Sequence, residues 1–104
     1  MLYELRISHF KGIELTELTV KKETAKQFKV SGSKLYRNTI NKYETERVQR
    51  GSFPHEYFVW FTDLAELSNF KLDMITLLQR DLEALLDKAS EIETSIETLK
   101  NLEA

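Results

Sequence analysis

The sequence predicts an α+β fold: an antiparallel sheet of four to five strands in residues 1–61, then a long helix over residues 62–104, all in one domain. Three observations carry this. Apolar residues alternate with a period of two near the start of the chain. From residue 63 to residue 102 there is neither Pro nor Gly, and the apolar spacing becomes that of a helix. The charge also changes sign there. Residues 1–61 hold 11 basic and 7 acidic side chains, residues 62–104 hold 4 and 10, so +4 gives way to −6 within a total of −2. A chain of 104 residues is the size of a single domain with a modest core.

Tyr3, Leu5 and Ile7 alternate with Glu4, Arg6 and Ser8, the pattern of a half-buried strand. Gly12 permits a turn. Ile13 and Leu15, then Leu18 and Val20, alternate again, and the phase slip at Thr16 and Glu17 predicts a bulge. Lys21 to Thr24 reads as a hairpin turn, with Phe28 and Val30 on the return strand. A fourth strand is expected over residues 35–40. Residues 41–50 have partly helical spacing but are too polar and short to assign. Gly51 to Pro54 is a loop. Tyr57, Phe58, Val59, Trp60 and Phe61 form a strand that is apolar on both faces, so both faces must be covered.

Thr62 or Asp63 can cap the helix, and Asp63 with Glu66 has capping-box spacing. Ser68-Asn69 is the weak point where a break would fall. Through Leu86 the apolar surface is wide enough to press on a sheet. After Asp87 it narrows. Ile75, Leu78, Leu82, Leu85, Ala89, Ile92, Ile96 and Leu99 are separated alternately by three and four residues, a heptad seam. An unbroken helix over 63–102 would be about 60 Å long, against a radius of gyration of about 13 Å for a compact domain of this size. A projecting seam would need a partner, and a homodimer through it is expected. An e/g pair of Lys88 with Glu93 would suit parallel helices without deciding orientation.

Composition narrows the chemistry. With no cysteine there are no disulfides, thiolate metal sites or cysteine nucleophiles. His9 and His55 have no carboxylate at fixed spacing. The i,i+4 pairs Glu83–Asp87, Asp87–Glu91 and Glu93–Glu97 read as a solvated helix face rather than a cation site. Three scattered glycines make no phosphate loop, and no serine sits in a nucleophile-elbow context. No catalytic residue, cofactor or metal is therefore expected, and the chain does not read as an enzyme. No apolar run approaches the length of a membrane span. The start of the chain has no basic or apolar leader segment, which predicts a cytoplasmic protein.

The basic excess lies in residues 21–50. Lys21, Lys22, Lys26, Lys29, Arg37 and Lys42, with Tyr36 to stack on a base, form a candidate nucleic-acid surface. The plainer alternative is a cationic sheet edge that deters pairing with other chains.

The order of the segments Tyr3 to Ile7, Val20 to Thr24, Phe28 to Val30, Thr39 to Lys42 and Tyr57 to Asp63, followed by a heptad helix, is similar to small uncharacterised accessory proteins of phages and mobile elements in Gram-positive bacteria. The resemblance transfers no functional residue. It implies a setting in which inhibitors of host defence, including anti-CRISPR proteins, are common. The expected function is a non-catalytic protein-binding factor that acts stoichiometrically in the bacterial cytoplasm. The alternative is a nucleic-acid-binding module built on residues 21–50.

Overall fold

The computed structural model describes residues 1–103. It is an α+β fold with six strands, two more than the shorter of the sequence expectations: β1 (Leu2–Ser8), β2 (Gly12–Glu23), β3 (Gln27–Ser31), β4 (Thr39–Asn41), β5 (Gln49–Arg50) and β6 (Tyr57–Phe61). Every pairing is antiparallel, in the order β4-β3-β2-β1-β6-β5. One helix, α1 (Leu67–Lys100), follows. The chain separates into two compact units, Met1–Met74 and the helical stretch from Ile75 on.

The long strand β2 holds the sheet together. Its residues 12–18 pair with β1, and its residues 19–23 pair with β3. The irregularity falls between Val20 and Lys22, not at Thr16-Glu17, where the ladder to β1 is continuous. The phase slip in the sequence has another origin. Ile13 and Leu15 point to one face of β2, while Leu18 and Val20 point to the other, so the pattern records a change of face without an extra residue.

Each face has its own core. On the inner face Leu2, Leu18, Phe28, Val30, Ile40, Phe58 and Trp60 form one cluster, with Val20 and Leu35 packed against it. On the outer face Leu5, Tyr57, Val59 and Phe61 are buried, and so are Phe70 and Met74 of α1. The Phe61 and Phe70 rings lie 5.1 Å apart, tilted, and Tyr3 meets Phe61 at 5.6 Å. Strand β6 is thus covered on both sides, as its sequence requires. Strand β1 is not half-buried as its alternation suggests, because Glu4, Arg6 and Ser8 are as deeply buried as their apolar neighbours.

Two expectations for the loops need correction. The strand expected over 35–40 shrinks to Thr39–Asn41, because residues 33–36 turn back with the Tyr36 N–H donating to the Ser33 carbonyl at 3.2 Å. Residues 41–50 hold one 3₁₀ turn, Lys42–Glu44, and the short strand β5. The Glu46 N–H donates to the Trp60 carbonyl at 2.7 Å, and its carboxylate accepts from the N–H and hydroxyl of Thr62. Glu46 reaches this arrangement with a positive φ of 65°.

Asp63 caps the helical segment as expected, although by a different bond. Its carboxylate accepts from the Ala65 N–H at 3.0 Å, while Glu66 accepts from the Asn69 amide at 2.8 Å instead of closing a capping box. That Asn69 bond spans the expected weak point, and α1 runs through Ser68-Asn69 without a break.

Candidate functional site

The heptad seam lies on α1, and most of it is exposed. Phe70 and Met74 are the buried residues of this helix. The wide apolar surface through Leu86 was expected to be covered, but burial ends at Met74. Beyond it Leu78 is half-buried, and Ile75, Leu82, Leu85, Ala89, Ile92, Ile96 and Leu99 are exposed. Ile92 is 60% exposed and Leu99 69%, values that leave a large apolar side chain mostly in water. The other side of this stretch is polar. The hydroxyls of Thr94, Ser95 and Thr98 donate back to the carbonyls of Ser90, Glu91 and Thr94. A helix of this composition is marginal in water unless its apolar face is packed.

The basic segment divides into two groups. Lys21, Lys22, Lys26 and Lys29 are exposed around the β2–β3 hairpin, with Lys22 directly opposite Lys29. Arg37 and Lys42 serve the fold. Arg37 pairs with Glu44 at 3.0 Å, donates to the Thr39 carbonyl at 3.2 Å and lies 5.0 Å over the Trp60 ring. Lys42 pairs with Glu23 at 3.0 Å and lies 5.0 Å over the Phe28 ring. The aromatic expected to stack on a base, Tyr36, is 96% exposed but lines a different cleft with Arg6, Lys11 and Lys34. Phe28 faces the inner core. The hairpin lysines therefore have neither Tyr36 nor Phe28 beside them as a stacking surface.

Sequence spacing missed a buried polar network on the inner face. Glu4 is 1% exposed, and its carboxylate accepts from the Ser33 hydroxyl at 2.6 Å, the Lys34 N–H at 2.8 Å and the Trp60 indole at 2.9 Å. These donors are 29, 30 and 56 residues away in sequence, so no local spacing reveals them. Two residues along β1, Arg6 donates to the Lys34 carbonyl at 3.1 Å and sits between Glu14 at 3.5 Å and Glu56 at 3.4 Å. Arg6 and Glu56 line an open cleft of about 310 Å³ with Lys11, Lys34, Tyr36 and Phe53. The network ties the 33–34 loop to β1 and β6.

His9 and His55 lie in the turns after β1 and before β6, at the same end of the sheet, where Phe10 and Phe53 meet edge to face at 5.6 Å. Among the described residues, no three His, Asp or Glu side chains are grouped to hold a metal ion. Among the same residues, no helix is long and apolar enough to cross a membrane. No protein-family model matches the chain, and no curated protein or solved structure matches it.

Proposed function

We propose that this chain is a non-catalytic protein-binding factor in which α1 joins two copies and the sheet unit engages a protein partner. The observation that carries the reading is the row Leu82, Leu85, Ile92, Ile96 and Leu99, exposed at heptad spacing on a helix whose sheet unit already has two filled cores. Fully burying each such side chain contributes about 1.5–3 kcal/mol, so pairing the seam supplies the packing that the helix lacks within its own chain. A stoichiometric inhibitor of a host-defence protein in the bacterial cytoplasm is the specific form of this reading. It is supported by the likeness in layout to mobile-element accessory proteins and by a cysteine-free composition suited to a reducing compartment.

The nucleic-acid reading keeps the four hairpin lysines, while Arg37 and Lys42 are paired with Glu44 and Glu23. The deciding experiment is sedimentation over a concentration range, combined with capture from a host lysate with and without nuclease. A dimer that dissociates in Ile92→Glu/Ile96→Glu, together with a protein partner retained after nuclease, supports the proposal. A strict monomer at high micromolar concentration overturns the dimer. Capture of nucleic acid alone, abolished by reversing Lys26 and Lys29, overturns the protein-binding function.

A further inference from the structure

We infer that the second copy lies parallel to the first and in register, a two-stranded coiled coil over residues 75–99 locked by Lys88 of each chain against Glu93 of the other. This rests on the dimer proposed above and adds its geometry. In the heptad, Ile75, Leu82, Ala89 and Ile96 occupy a positions, and Leu78, Leu85, Ile92 and Leu99 occupy d positions. Isoleucine at two of four a positions with leucine at three of four d positions is the distribution that parallel two-stranded coils favour.

Flanking charge, with the Lys88 and Glu93 side chains left unpaired within the described residues of their own chain, then favours the parallel orientation. Lys88 is a g position and Glu93 the following e position, the pair that meets across a parallel interface, once on each side of the twofold axis. Both side chains are exposed, and neither makes an ion pair within the described residues of its own chain, so both are free to meet a second copy. In an antiparallel pair on the same seam, the centre falls between Leu85 and Ala89, and Lys88 would face Lys88 of the second copy. Like charges there oppose association. Leu86, 61% exposed, occupies an e position flanking the interface.

The test uses the full chain, which has no cysteine of its own. Glu103→Cys, oxidised in dilute solution, forms a covalent dimer if the helices are parallel, because the two C-terminal ends then adjoin. In an antiparallel pair those ends are separated by at least the seam length of about 36 Å, and no such bond forms. Independently, Lys88→Glu weakens the parallel dimer about tenfold at low salt, and Lys88→Glu/Glu93→Lys restores it. Circular dichroism confirms that each variant keeps its helix. Disulfide capture with rescue by the exchanged pair supports the inference. A dimer by sedimentation without disulfide capture, or without rescue, overturns the parallel register and leaves the dimer standing. A wild-type monomer overturns both.

Discussion

The indole N–H of Trp60 donates to the Glu4 carboxylate at 2.9 Å from the position directly opposite on the neighbouring strand. Glu4 is 1% exposed, and its remaining donors come from Ser33 and Lys34. A carboxylate out of water is tolerable only with such a set of donors. Removing it strands three of them. Glu4→Ala is expected to destabilise the sheet unit by about 3–5 kcal/mol, and Trp60→Phe by about 2–3 kcal/mol. Urea unfolding followed by circular dichroism measures both. A change below 1 kcal/mol in either variant would remove the network from the account of stability.

Gly51 is the second point of sensitivity. Its N–H donates to the Glu56 carbonyl at 2.8 Å, and a Cβ there would overlap the Glu56 side chain. Gly51→Ala is expected to push the Glu56 carboxylate away from Arg6 and cost about 1–3 kcal/mol. Gly51→Ala/Glu56→Ala relieves the overlap but leaves Arg6 with one carboxylate fewer. The two substitutions should therefore be non-additive in a double-mutant cycle.

The basic segment should separate by role. Arg37→Ala breaks the Glu44 pair and uncovers one face of Trp60, with an expected loss of about 1–2 kcal/mol. Lys26→Ala and Lys29→Ala touch exposed side chains and should stay within about 0.5 kcal/mol of the wild type. Thermal melts of the three variants side by side decide it. Equal losses would contradict the division between structural and free cations.

The proposed dimerisation through α1 would make the helix signal depend on concentration. The melting temperature read at the helical band should rise with protein concentration in the wild type, since association stabilises by mass action. It should be flat for Ile92→Glu/Ile96→Glu. A concentration-independent melt of the wild type would count against association.

Much of the fold was legible because periodicity reports local geometry. Strand β6 announced its coverage through five apolar residues, and α1 through forty residues without Pro or Gly. What stayed hidden depends on distant partners. The alternation in β1 located the strand, but nothing nearby showed that Glu4 and Arg6 point into a core, because the groups that receive them lie in the 33–34 loop, β2, β6 and the loop before it. The two-residue β5 is too short to have a period. Of the candidate site residues, the apolar row of α1 could be read directly from spacing, and most of it is exposed. The nucleic-acid set could not, because Tyr36, Arg37 and Lys42 are directed by the turn at 33–36 and by pairs with Glu44 and Glu23 that charge counting does not anticipate.

Covering β6 on both faces has a kinetic consequence. Strands β1 to β4 join through short connections, but β6 reaches β1 only by closing a loop of about fifty residues, so its docking should come late in folding. Because all five of its side chains are apolar, a displacement by one residue would still bury them and would cost little hydrophobic energy. In that displaced alignment Val59 or Phe61 would stand opposite Glu4, and the carboxylate would lose its indole donor. The Glu4–Trp60 bond thus distinguishes the native register of β6 from its neighbours, and Trp60 fluorescence should follow its formation.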